Sequence, residues 1–341
     1  MNSKKLLFED IKTYLTPYKL GKPVLTGSGQ PERFDAMAVD CPFVFYHNNC
    51  YHMLHVGFDG KGYQTGLAVS DDLINWESKG AVLKREEHTA WDRVGAAGTW
   101  IIKDTNNLSE LPTLKKIDGK YWMIYHSYPD EGYENGAAQM GLAWTQDESL
   151  MEWHRLSEPV FSCKDGADWE KGGLYKACII EEQGTYYLFY NAKNNTYSPW
   201  VEQTGVAFSK DLFNWERYEG NPVMENCEGT WESMFCSDPC VLRDGGKWVM
   251  MYFGYDGKHA QDGIAISDDL IHWKKYRHPV LQHGQPDEID EYHAHKPSAI
   301  KKDGVLYHFY CACRKNMEGD PTIKLAKSFR CISVATSQPL K

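Results

Sequence analysis

The 341-residue chain has no apolar run long enough to cross a membrane as a helix. Its first stretch, MNSKKLLFEDIKTYL, has basic residues, but Glu9, Asp10 and Lys12 interrupt any apolar core of signal-peptide length. Positive charge is also scarce. The 37 Lys and Arg against 47 Asp and Glu leave a net charge of -10, which argues against nucleic acid or an anionic membrane as partner, since both demand a basic surface. None of the ten cysteines forms a CxxC; Cys311 and Cys313 are the nearest pair. Without a signal peptide they read as reduced core thiols. A cytoplasmic chain with no cofactor and no required metal is expected, although His293 or His295 could serve as a metal ligand.

What the sequence has in abundance is repetition. Gly66-Leu-Ala-Val-Ser70, followed by Asp72-Leu73 and Trp76, returns as Gly141 to Thr145 with Trp153 and as Gly205 to Ser209 with Trp215. It returns again as Gly263 to Ser267 with Trp273 and, cut short, as Ile332 to Ser337. After each tryptophan comes a short apolar pair such as Ala81-Val82-Leu83 or Pro222-Val223-Met224. An aromatic or apolar residue beside an acid follows: Phe34-Asp35, Trp91-Asp92, Trp169-Glu170, Trp231-Glu232 and Ile289-Asp290. Apolar runs joined by Gly-rich turns fill the intervals, as at Asp238 to Phe253. Five such units, about 50 to 80 residues apart, predict an all-β protein: a five-bladed β-propeller of four-stranded antiparallel blades. Residues 21–341 form that domain. Residues 1–20 form an extension whose spacing from Lys4 to Leu15 is helix-like and could cover the propeller or meet a second subunit in a homo-oligomer.

Aligning the blades by their hairpins sets Pro42, Pro112, Ala177, Pro239 and Pro297 each nine positions before Tyr51, Tyr121, Tyr186, Trp248 and Leu306. The two residues before each aligned position converge on one mouth of the central channel. They are Asp40-Cys41, Glu110-Leu111, Tyr175-Lys176, Ser237-Asp238 and His295-Lys296. Crowded charges shift one another's pKa, as acid–base sites require; the plainer reading is a solvated channel of paired charges. Three longer insertions carry Tyr128, Tyr133, Tyr197 and Trp200, which either stack sugars or pack over blade edges.

The Asp-Pro strand starts, the Tyr186-Tyr-Leu-Phe-Tyr190 second strand and the S-x-D-L-x-x-W turns together resemble the five-bladed propeller glycoside hydrolases of families 43, 32, 62, 68, 117 and 130. The likeness runs over roughly residues 21–337. The WMNDPNG pattern of the fructan-cleaving families is absent, and Lys176 stands where family 43 has a third acid. The resemblance implies an inverting glycoside hydrolase with Asp40, in blade one, as base, and a cytoplasmic chain would meet imported short oligosaccharides, which points to exo action. Either His295, similar to the blade-five histidine of family 117, or Glu232 would be the acid, His293 being the rival of His295, and Asp238 would orient it. Glu110, Lys176, His293, Lys296, Arg93 and Trp200 would bind substrate. Lys176, Lys296 and Arg93 also suit a phosphorylase of the family 130 kind, in which phosphate replaces water. A non-catalytic sugar-binding propeller is the third reading.

Overall fold

The computed structural model describes residues 6–86, 91–320 and 328–340. The chain is all-β, built of antiparallel sheets as a propeller is. Among the described residues, helix is confined to Phe8–Ile11 and three short 3-10 turns, one of them Lys12–Tyr14. The expected N-terminal helix is therefore present but brief; its first two residues, Lys4 and Lys5, lie outside the described residues. No helix among the described residues is long and apolar enough to cross a membrane.

The first sheet comprises Ala38–His47, Cys50–Phe58, Tyr63–Ser70 and Glu77–Leu83, and the second Ala97–Ile101, Tyr121–Ser127, Gln139–Thr145 and His154–Arg155. A third group (Leu174–Glu182, Thr185–Asn194, Val201–Ser209, Glu216–Arg217) and a fourth (Phe235–Asp244, Lys247–Tyr255, Ala260–Ser267, Lys274–Lys275) have the same plan. The fifth, His293–Lys302, Val305–Lys315 and Ser328–Thr336, takes its outer strands from the start of the chain: Tyr18–Lys19 and Leu25–Thr26 pair with Ser328–Thr336. Short parallel bridges link the third group to the fourth and the fourth to the fifth. Among the described residues no sheet closes on itself. The first strand of each group instead touches the first strands of two others, in a cycle that returns from the fifth to the first.

The repeated residues meet in space. Each recurring glycine lies under the aromatic of the aromatic–acid pair, so a Cβ at Gly141 would fall 2.5 Å from Trp91, and one at Gly263 2.5 Å from Trp231. The acids are anchors. Tyr125, Tyr190, Tyr252 and Tyr310 each donate a hydroxyl to Asp92, Glu170, Glu232 and Asp290. Arg155, Arg217, Lys275 and Lys19 pair with the same four carboxylates. In the first sheet His55 replaces the tyrosine, and Asp35 pairs with Arg33 instead. The S-x-D-L turns are also built alike. Ser70 Oγ accepts the backbone N–H of Asp72 and Leu73, and Asp72 accepts those of Ile74 and Asn75, while Leu73 is left-handed at φ 71°. Ser209 and Ser267 repeat this.

One alignment fails. The first strand of the second sheet is Ala97–Ile101, not the segment at Pro112. Between it and Tyr121 the chain makes an excursion to the far ends of the neighbouring first strands. Leu108 N–H donates to Arg243 O at 2.8 Å, Arg243 N–H to Asn106 O at 2.8 Å, and Tyr46 N–H to Pro112 O at 3.0 Å. This excursion spans that end of the assembly, and Glu110 rides on it, exposed and accepting from Asn107. The nine-residue spacing at Pro112 is a coincidence of loop length.

Glu232 belongs to the anchor set. Glu232→Gln leaves Lys275 without its carboxylate and is expected to lower stability by about 1–3 kcal/mol, with kcat/KM for any substrate changed less than about threefold. Chemical denaturation beside steady-state kinetics checks this.

Candidate active site

Four of the five first strands carry a bulge whose extra residue has left-handed backbone. Cys41 (φ 50°), Lys176 (φ 42°), Asp238 (φ 53°) and Lys296 (φ 66°) sit at the register shifts of their ladders. Non-glycine residues pay for this conformation in strain, and such residues cluster at functional sites. All four line one cavity of about 370 Å³, within the size range of ligand pockets. The second sheet also has its bulge, at Gly98/Trp100. There Thr99 turns sideways, exchanging hydrogen bonds with the backbone of Ala177 at 3.2 Å.

The cavity walls are aromatic: Tyr63, Tyr128, Tyr133, Tyr175, Trp200 and Phe253. Of the loop aromatics marked from the sequence, Tyr128, Tyr133 and Trp200 line it; Tyr197 is exposed elsewhere. Arg93 and Glu110 are exposed and lie outside it, and the anchored Glu232 is buried and also outside it. The structure thus gathers Asp238, Lys176, Lys296, His293, His295 and Trp200 around one space, with Asp40 directly behind.

The charges are unequal in their commitments. Asp40, 1% exposed, accepts from Lys296 Nζ at 2.8 Å, from Arg330 Nη1 at 3.5 Å and, through its other oxygen, from the Cys41 N–H at 2.8 Å. Burial alone would raise its pKa. Lys296 and Arg330 outweigh burial and hold it well below the ordinary carboxylate range. Both its oxygens are engaged, and it does not line the cavity.

Three other carboxylates do: Glu202, Asp238 and Glu134. Glu202 accepts from the Tyr175 hydroxyl at 2.8 Å, Asn191 Nδ2 at 3.1 Å and the Ser237 hydroxyl at 3.1 Å. Burial, and next the charge of Glu134, push its pKa up from 4.5 to about 7 despite these donors. Asp238 shares the donors, lying 3.3 Å from Asn191 Nδ2 and 3.1 Å from Ser237 Oγ. Its pKa is raised as well, by burial, against the pull of Lys296 and Lys176. Glu134, half-buried on the loop after Tyr128, accepts from Tyr63 at 3.3 Å and lies 3.6 Å from Lys296.

The histidines are held neutral. Burial, then Lys296, keep His295 well below its ordinary range, and burial, then Arg330, bring His293 to about 3. His293 Nδ1 takes the Ala260 N–H at 3.0 Å, so its proton sits on Nε2. His295 Nδ1 faces the Cys311 carbonyl at 3.1 Å, which puts its proton on Nδ1. One ring can donate and the other accept, but neither carries the extra proton of an acid at neutral pH. Burial and the neighbouring cations disfavour the extra proton, which weighs against the acid role expected of His295 and His293.

Glu202, Arg330 and Glu134 went unmarked in the sequence. Glu202 and Arg330 occupy the same repeat position, three residues before Gly205 and its equivalent Ser333, where Tyr63 and Ala260 also line the cavity. Reading that second column of the repeat finds them. Among the described residues no three or more His, Cys, Asp or Glu are placed to hold a metal ion.

The propeller-like stack of sheets is that of the glycoside hydrolase propeller superfamily. The chain belongs to the family described as glycosyl hydrolases family 32, N-terminal domain, whose model matches residues 102–293. It is similar along nearly its whole length to two solved structures. One is described as a complex of BT0996 and RGII; it is 30% identical, with 98% of this protein and 95% of the other covered and a TM-score of 0.81. The second is a glycoside hydrolase, also 30% identical, with 98% and 97% covered and the same TM-score. A beta-1,2-mannobiose phosphorylase from Thermoanaerobacter sp. (strain X514) is 34% identical over 137 residues, 36% of this chain and 45% of that protein, so the chain matches under half the length of this relative.

Because Glu202 keeps its proton to a higher pH in the folded state than in the unfolded one, the fold binds more protons between pH 4.5 and 7. Stability contributed this way is full below about pH 4.5 and is lost as pH rises through about 7. Glu202→Gln removes the loss. The variant is expected to gain on the order of 3 kcal/mol relative to wild type between pH 4.5 and 8, read by urea denaturation across that range.

Proposed function

We propose that the chain is an exo-acting glycoside hydrolase of short oligosaccharides, working in a pocket at one end of a ring of five four-stranded blades. The carrying observation is the proton affinity of Glu202, about 7, inside an aromatic-walled cavity. A carboxyl that retains its proton near neutral pH is the acid that a departing glycosidic oxygen needs.

In this reading Glu202 protonates the leaving oxygen. Glu134, which lines the same cavity beside Lys296, activates water as base. Asp238, expected to orient His295 or Glu232, instead adds its charge to the proton affinity of Glu202 in this reading. Asp40, first expected as base, serves by fixing Lys296 and Arg330. The neutral rings of His293 and His295, with Trp200, hold the sugar. Exo action is supported by the excursion through Asn106 to Pro112, which is hydrogen-bonded to the far ends of two first strands, at Arg243 and Tyr46. Inversion is retained from the family resemblance.

Phosphorolysis is the second reading, supported by Lys176, Lys296 and Arg330 around the cavity and by the similarity to a mannobiose phosphorylase. A panel of aryl-glycosides and short oligosaccharides, incubated with and without phosphate, decides between them. The hydrolase reading expects free sugar at rates independent of phosphate, with the inverted anomer appearing first by proton NMR; sugar 1-phosphate formed only with phosphate refutes it. Glu202→Gln is expected to lower kcat by about 10²–10⁴-fold on natural linkages and far less on aryl-glycosides with good leaving groups. Equal loss on both kinds removes Glu202 as the acid.

A further inference from the structure

We propose that the cavity contains a subsite for one negative charge on the sugar, the carboxylate of an acidic monosaccharide unit, held by Lys176. The proposal rests on the glycosidase reading and adds a substrate class to it. Lys176 is only 4% exposed and lines the cavity. Its ammonium has no hydrogen-bond acceptor among the described residues. A buried ammonium with three unmet donors is costly unless a partner arrives. The residue cannot turn away easily, because its left-handed backbone and the hydrogen bond from its N–H to His126 Nδ1, 3.3 Å, fix where the side chain starts.

The other cations of the site are already matched. Lys296 lies 2.8 Å from Asp40 and 3.6 Å from Glu134. Arg330 lies 3.5 Å from Asp40 and stacks on Tyr133 at 5.0 Å. Among the described cations of the cavity, Lys176 is the one with no carboxylate in direct contact: Asp238 feels its charge without a salt bridge between them, and an incoming carboxylate would supply the missing acceptor. A phosphate dianion would set a second negative charge among Glu202, Asp238 and Glu134, which line the same cavity. His126, whose Nδ1 is the acceptor, carries its proton on Nε2 and offers a further donor to an oxygen beside Lys176. A charge-assisted bond to an anion is shorter and stronger than one to a neutral hydroxyl. The subsite should therefore separate a uronic sugar from its neutral counterpart.

The test is equilibrium binding by calorimetry on the full chain, with D-glucuronate and D-galacturonate against D-glucose and D-galactose, and with inorganic phosphate as a separate arm. Wild type is expected to bind one uronate at least tenfold more tightly than the matching neutral sugar. Lys176→Met should abolish that preference without weakening neutral-sugar binding, and its melting temperature without ligand should equal or exceed that of wild type, since an unpaired buried charge is gone. Lys176→Arg should keep the preference, and it serves if the methionine variant does not fold. Equal binding of acidic and neutral sugars, no uronate binding at millimolar concentration, or a preference that survives Lys176→Met overturns the proposal. So does binding of phosphate, lost in Lys176→Met, without any uronate preference. Turnover plays no part in the measurement. A chain that binds uronates but cleaves no glycoside refutes the glycosidase reading alone.

Discussion

The site depends on one backbone device: a bulge near the start of the first strand, with a left-handed residue that tips its side chain out of the ladder and into the cavity. A regular strand points alternate residues at the two faces of a sheet, where neighbouring sheets bury them. A left-handed residue at a bulge escapes that alternation. Four sheets use it, and they deliver a thiol, an ammonium, a carboxylate and a second ammonium to a single space. The conformation is unfavourable for L-residues. It is tolerable here because each bulge is locked between a long paired second strand and the adjoining first strands.

Once these groups face one another, burial forces them to sort their charges. Asp40 takes two cations and becomes a fixed anion. Glu202 has only neutral donors, with Asp238 and Glu134 adding negative charge nearby, and holds its proton. The histidines lie among cations and stay neutral. The same residue types therefore do different work according to which partner lies within about 4 Å, and the acid–base assignment follows from pairing more than from residue identity.

Much of the fold was legible in the sequence because its repeats are packing constraints. A glycine recurs where a tryptophan or phenylalanine covers the third strand, and an acid recurs where a tyrosine and a cation anchor it. The bulges were legible as the residues before Pro42, Ala177, Pro239 and Pro297, which is why Lys176, Asp238 and Lys296 were marked for this cavity. Glu110 was misplaced because the stretch from Ile102 to Lys120 imitates the spacing of a strand and hairpin while running past the far ends of other sheets. Glu202 and Arg330 escaped notice because they open third strands, where the sequence does not set them apart from the other polar residues at strand starts. Their convergence is a property of the assembly. Glu134 lies on the insertion between Ser127 and Gln139, where only its aromatic neighbours stood out. The protonation of His293 and His295 could not be read from their spacing, since Lys296 and Arg330 approach them through the fold.

The central claim is that Glu202 carries the catalytic proton because its surroundings raise its proton affinity. The pH dependence of kcat/KM on a substrate with a poor leaving group tests this most directly. A basic limb with an apparent pKa near 7 is predicted, falling tenfold per pH unit above it, because only the protonated carboxyl can donate. Replacing Asp238 by Asn removes a neighbouring negative charge and should move that limb to lower pH. A profile that stays level to about pH 9, or a limb that Asp238→Asn leaves in place, would contradict the account.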